Sequence, residues 1–325
     1  MKKILAIMLA LATIFAFSAC GEAKNNNDSD VLNIGVIQLV KHDALDAAYD
    51  GFVEGLKEAG YSEEAGNVKF DYKVATGKTD ECQTIATQFA GKKDLILAIA
   101  TGAAQAMVNA EKETPILVTA VTNPEGDCPG SNVSGTSDLG PIARQVQLAK
   151  EICPEIKKLG ILYNSSEVNS KFQAELAIEA CKAQNIAYQE FTVTAPTELQ
   201  STVENMKGVV DVCWIPTDNT CANNMPTIYA AAKSAKVMTI CGESGMTNNG
   251  GLATIGAVDY FKLGKQTAAM AVKIFKGEAE VSDMPIEFQE AGDNPKVVIN
   301  TDVAADFEIP ADILANAEKV TLPAE

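Results

Sequence analysis

The 325-residue chain has one histidine, His42, and one arginine, Arg144. Chemistry that needs several histidines is therefore excluded. Lys and Arg total 26 against 43 Asp and Glu, for a net charge of −17, and no basic cluster occurs. Phosphate backbones are held by clustered Lys and Arg, so the acidity argues against a nucleic-acid partner. No CxxC occurs, which leaves zinc-ribbon and thioredoxin readings without support. No GxxxxGK[ST] is present, and no GxGxxG follows a strand-like run. Gly242-Glu243-Ser244-Gly245 lacks the spacing of a nucleophile elbow. No spacing of His, Cys and carboxylates marks a metal site, and no cofactor is implied. The longest apolar run, Ile4 to Phe17, is 14 residues broken only by Thr13, short of the ~20 that span a bilayer.

What is present begins with that run. Lys2 and Lys3, the apolar stretch and then small residues form a secretory signal over 1–19. Ser18-Ala19-Cys20-Gly21 resembles the lipobox of bacterial lipoproteins, with Phe17 where that family usually has Leu. The resemblance implies that Cys20 is diacylated and becomes the first mature residue. The alternative is an ordinary signal peptide cut near Ala19, with Cys20 incidental. Residues 20–30 then form a polar tether with Asn25, Asn26 and Asn27. Seven further cysteines remain, an odd number, so at least one is unpaired within a monomer. Cys213 and Cys241 lie in strand-like runs, where a thiol behaves as a small hydrophobe. Several free thiols in an exported protein point to a reducing habitat, although a pair such as Cys153 and Cys181 stays open.

Hydrophobic residues at 47% and charged residues at 21% give a globular balance, and the length favours two domains. Short apolar runs alternate with helical patterns. Strands are expected at 31–39, 68–74, 94–100 and 116–120. Helices are expected at 44–60, 79–90 (capped by Thr79 or Asp80) and 103–113. In the first helix Leu45, Tyr49, Phe52, Leu56 and Ala59 line one face. The rhythm restarts with helices at 144–152, 169–185, 198–206, 225–234 and 260–276. Its strands are 158–163, 187–193, 209–215, 237–241, 252–258 and 297–300. Strands apolar on both faces, alternating with helices, make parallel sheets covered on both sides. The fold class is therefore α/β, with two doubly wound halves.

Ligands of such sheets bind beyond the carboxyl ends of the strands. Those ends supply Gln38 and His42, Thr101-Gly102-Ala103, Thr122, Asn164, Asp218 and Asn219, Glu243, and Asp259. Thr101-Gly102-Ala103 combines a hydroxyl with free amides at a helix start, which suits an anion without an arginine. Asp218, Glu243 or Asp259 could hold an ammonium opposite. Together they describe an amino-acid pocket. Each residue taken singly is equally well read as a helix cap. His42 alone, without a placed nucleophile, reads as a polar loop residue, and Trp214 reads as core. Tyr163 and Tyr260 are either core or aromatic partners of a ligand.

The chain is similar to the ABC-transporter substrate-binding family that includes tryptophan- and aromatic-amino-acid-binding lipoproteins. The residues that carry this are Ile34 to Tyr61 (IGVIQLVKHDALDAAYDGFVEGLKEAGY), ATGAAQAM (100–107), PILVTAVTNPEG (115–126), NVSGTSD (132–138), IPTDNT (215–220) and Gly256 to Glu278. Asp43 stands where the family usually has Pro. The resemblance covers nearly all of 31–320. It implies a type I periplasmic-binding-protein-like fold, two lobes joined by a hinge and crossed three times. Lobe one would be 31–138 plus 255–285, and lobe two 139–254 plus 286–325. Ser137 and Asp138 of the NVSGTSD motif join the candidate ligand-binding set. The implied function is a lipid-anchored, extracytoplasmic receptor of an ABC importer, not an enzyme. It captures a small amino-acid-like ligand, most simply an aromatic one, and delivers it to a permease driven by a cytoplasmic ATPase. The alternatives are a sensor that presents ligand to a membrane signalling receptor, a different small polar solute and, weakest, a hydrolase.

Overall fold

The computed structural model describes residues 31–256, 258–289 and 295–323. The expected secretory signal at 1–19, the expected lipidation site Cys20 and the expected tether at 20–30 lie outside them. Thirteen strands form two sheets. The first holds β1 (Leu32–Gln38), β2 (Val68–Val74), β3 (Leu95–Ile99), β4 (Ile116–Val121), β5 (Val133–Ser137) and β11 (Glu287–Phe288). The second holds β6 (Lys158–Asn164), β7 (Ala187–Val193), β8 (Val212–Ile215), β9 (Met238–Cys241), β10 (Ala253–Ile255), β12 (Val297–Asn300) and β13 (Glu318–Val320). The helices of ten or more residues are α1 (Asp43–Glu58), α2 (Thr79–Phe89), α3 (Thr101–Ala110), α4 (Ile142–Ile152), α5 (Val168–Ala183), α6 (Met225–Ala235) and α7 (Tyr260–Phe275).

The first sheet runs β11-β5-β4-β3-β1-β2 and is parallel throughout. The second runs β13-β12-β10-β9-β8-β6-β7 and is parallel except where β12 pairs antiparallel with β10. Each sheet therefore reverses its winding once, between β1 and β3 in one and between β6 and β8 in the other. These are the switch points at which such sheets open a crevice. Strands such as β3 and β4 are buried along their whole length, as helices on both faces require.

The chain crosses between the sheets after β5, after β10 and after β11. Two expected lobe limits move. Ile255 belongs to β10 in the second sheet, and Glu287–Phe288 pairs with β5 in the first, so the return to the second lobe falls later than residue 286. β5 escaped the apolar pattern because its buried face is hydroxylic. Thr136 Oγ1 donates to Thr119 Oγ1 at 3.0 Å and lies 2.8 Å from Thr267 Oγ1, while Ser134 Oγ donates to the Met284 carbonyl oxygen at 3.0 Å. The third helix begins at Thr101 rather than 103, and its N-cap is Ala100, at φ 74°. Lys78, not Thr79 or Asp80, stands at the N-cap of α2 and makes no side-chain cap bond. The seven described cysteines are free, Cys153 and Cys181 among them.

α1 and α7 pack together over the first sheet through two glycines. A Cβ at Gly264 would lie 2.0 Å from the Ala48 carbonyl oxygen, and one at Gly51 would lie 2.0 Å from that of Phe261. Backbone cannot yield as a side chain can. Gly264→Ala is therefore expected to cost at least the ~1–3 kcal/mol of ordinary overpacking, measured as a lowered urea midpoint with unchanged slope.

Candidate functional site

Strand-to-helix connections bring polar groups to the carboxyl edges of both sheets, and these edges face each other across a narrow cavity. The first lobe lines it with His42, Ala44, Leu45, Thr101, Ala120, Asp138 and Tyr260. The second adds Asn169, Thr217, Asp218, Asn219, Ala222 and Glu243.

Three of these residues are buried carboxylates. Asp138 begins the first crossing segment and accepts from Thr122 Oγ1 and Tyr260 Oη, both at 2.9 Å. Asp218 accepts from the Asn164 amide at 2.7 Å and the Cys221 amide at 2.8 Å. Glu243 accepts from the Gly245 and Met246 amides at 2.6 and 2.7 Å. Burial raises the pKa of all three, against the hydrogen bonds that favour the charged form. Glu243 is pushed up to about 7. Glu167 adds to the rise at Asp218 through like charge. No lysine or arginine lines the cavity, and burial lowers the His42 pKa, outweighing the carboxylates around it. The cavity is thus built to receive positive charge.

The opposite character comes from α3. Its first-turn amides have no acceptor within the helix, and Thr101 adds a hydroxyl. Two non-glycine residues with positive φ, Ala100 (74°) and Ala120 (54°), sit at the ends of β3 and β4 beside the cavity. Such geometry costs ~1–3 kcal/mol and concentrates at ligand sites.

The lobes also touch directly. His42 Nε2 lies 3.1 Å from Asn219 Oδ1. Gln173 Nε2 donates to Thr122 Oγ1 at 3.2 Å, and Asn249 Nδ2 to Asp43 Oδ2 at 3.3 Å. The lobes are closed on each other.

Of the residues singled out in the sequence, Thr101, Asp138, Asp218, Asn219 and Glu243 meet at the cavity. Thr122 stands behind it, bonded to Asp138 and Gln173. Gly102 and Asn164 face the adjoining open crevice, and Ala103 is buried in the first-lobe core. Gln38 is taken up within lobe one, bonded to Val40, Asp46 and Tyr72. Ser137 Oγ donates to the Thr122 carbonyl. Asp259 caps α7, pairs with Lys262 and lies outside the cavity lining. Asp218 and Glu243 are caps as well as cavity walls, so the two readings were not exclusive. Sequence reasoning set His42 aside as a loop residue and passed over Asn169 and Gln173. Asn169, Ser170 and Gln173 share the buried face of α5, and polar residues on an inward face were the available signal. Trp214 is core, its Nε1 donating to Gln145 at 3.0 Å.

Two α/β lobes of like winding that meet at their switch points define the type I periplasmic-binding fold. The chain belongs to the ABC transporter substrate-binding protein family, whose model matches residues 33–321. Its substrate-binding proteins are extracytoplasmic and serve ABC transporters. A tyrosine-binding protein of Clostridioides difficile (strain R20291) is 35% identical over 319 residues, covering 93% of this chain and 91% of that protein. An ABC domain from Streptococcus pneumonia in complex with L-Trp is 35% identical, with a TM-score of 0.82 over 89% of this chain and 99% of that one. The ligand-free, open structure of a Clostridium difficile substrate-binding protein with adhesive properties is 38% identical, with a TM-score of 0.68 over 90% of this chain and all of that one. Among the described residues no helix is long and apolar enough to cross a membrane.

The raised carboxyls make a pH prediction. A carboxyl whose folded pKa lies above its unfolded value binds its proton more tightly when folded. Stability is then lost as pH rises from the unfolded pKa to the folded one. For Glu243 that window runs from 4.5 to about 7. Glu243→Gln removes the loss, so its stability relative to the parent chain is expected to climb across that window and level off above it. Thermal unfolding of both chains from pH 4 to 8 checks this.

Proposed function

We propose that the protein is a lipid-anchored, extracytoplasmic receptor that captures an aromatic amino acid between its lobes and delivers it to an ABC permease. The observation that carries this is the closed cavity itself, with buried Asp138, Asp218 and Glu243 on its walls and no cationic side chain among them. An α-ammonium compensates these carboxylates, and the first-turn amides of α3 with Thr101 suit the α-carboxylate. Tyr260 and Leu45 offer apolar surface to the ring. The tyrosine and L-Trp bound by the relatives support the same ligand class. The protein works by binding and release, with no covalent step.

Ligand contacts drawn from both lobes favour the closed form, and the permease reads that form. The higher TM-score to the L-Trp complex than to the open relative accords with closure here. Calorimetry against L-tyrosine, L-tryptophan and L-phenylalanine is expected to show one-to-one binding, and failure of all three ends the ligand assignment. Asp218→Ala is expected to weaken binding by ~2–5 kcal/mol, as for a buried charged partner; unchanged affinity would leave Asp218 only its capping role.

Anchoring rests on Cys20. Cells fed an alkyne-tagged fatty acid are expected to label the protein, and Cys20→Ala to release it from the membrane fraction. Labelling that persists in Cys20→Ala overturns the anchor.

A further inference from the structure

We infer that His42, the only histidine in the chain, is an interlobe latch whose tautomer is set by Glu167, so that closure holds its ring with the proton on Nε2. The inference rests on the reading of the cavity as a substrate cleft.

Glu167 lies just before α5 in the second lobe and uses both of its oxygens. Oε2 accepts from the backbone amide of Asn219 at 3.0 Å and from its Nδ2 at 2.7 Å. Oε1 accepts from the backbone amide of Thr220 at 3.0 Å and from its Oγ1 at 2.8 Å. An ionised carboxylate only accepts, so the nitrogen of the Asn219 side-chain amide must be the end turned to Glu167. Its oxygen then faces the first lobe, 3.1 Å from His42 Nε2. That oxygen only accepts as well, so His42 donates from Nε2. The other neutral tautomer would set two lone pairs against each other. Glu167 does not line the enclosed cavity; it is a positioning residue acting through Asn219.

His42 and Asp43 open α1, and each bonds across the cleft, to Asn219 and Asn249. The start of α1 therefore carries two of the three interlobe bonds described above. The charged groups facing the ring are Lys41, Asp43 and Asp46 from its own lobe, and Glu167, Asp218 and Glu243 from the other. The carboxylates favour the imidazolium, but burial opposes it more strongly. An imidazolium keeps its Nε2 proton, so the hydrogen bond alone does not sense pH. Burial of the ring does. Closure from an open, wet state therefore makes His42 a weaker base.

One histidine gives one imidazole spin system in a 15N-labelled intact chain. With saturating L-tyrosine the neutral ring is expected as the Nε2–H tautomer, titrating at lower pH than in the unliganded chain. Glu167→Gln offers a donor where two are already present. It is expected to abolish the single-tautomer signature and to speed L-tyrosine release about tenfold, the ~1.4 kcal/mol scale of one charge-assisted bond. A ligand-independent arm joins Asp43→Cys and Asn249→Cys with a short bis-maleimide, which should produce the same ring state without L-tyrosine. An Nδ1–H ring, a titration unmoved by closure, or a Glu167→Gln chain with the parent's spectrum and release rate overturns the latch. If none of the three aromatic amino acids shifts the thermal midpoint of the parent chain, the ligand reading fails, and the cross-linked chain still decides the latch.

Discussion

The hydrogen bond from Tyr260 to Asp138 ties together the parts on which the rest depends. Asp138 is the residue at which the chain leaves the first sheet, and Tyr260 begins α7 after the chain has returned. Their 2.9 Å contact joins two of the three crossing segments and forms part of the cavity wall. A hinge and a binding surface thus share one buried carboxylate. Thr122 completes its coordination, and Gln173 brings the second lobe to the same cluster. Closing the lobes and shaping the pocket are therefore one event.

The electrostatics follow from where parallel strands end. Crossover connections place helix starts at one edge of each sheet, and helix starts hold carboxylates as caps. Asp218 and Glu243 satisfy backbone amides while standing at the cavity. Their charge is held by the amides but not neutralised, because among the described residues no lysine or arginine lines the space. An unliganded closed form is therefore poised: three acids resist ionisation together, and a ligand cation relieves them. The price of that poise is borne by a fold with deep apolar cores in both lobes.

Much of this was legible beforehand. The strands 68–74, 187–193 and 297–300 lie where the apolar runs place them. Period-2 and buried runs report burial: β2 and β12 are mostly buried or half-buried, while β7, at the sheet edge, covers only Tyr188, Phe191 and Val193. β5 was not legible, because Ser134, Thr136 and Ser137 are buried with their hydroxyls bonded to carbonyls or to other hydroxyls, which no hydropathy pattern shows. The strand-end rule found Thr101, Asp218, Asn219 and Glu243. It also returned Gln38 and Asp259, which sit at strand ends but are occupied by Asp46 and Tyr72 in one case and by Lys262 in the other. His42 was set aside as a loop residue because a lone histidine has no local partner; its partner is 177 residues away.

By itself the sequence determined the α/β rhythm, the restart that makes two halves and the acidic, arginine-poor character. These are properties of local pattern and composition, which neighbouring residues decide among themselves. Only the tertiary structure decided which strand ends face each other, which acids share a cavity and which helix starts meet across it. Those choices rest on strand order and lobe closure, which bring together groups such as His42, Asn219 and Asp138 that no local pattern relates.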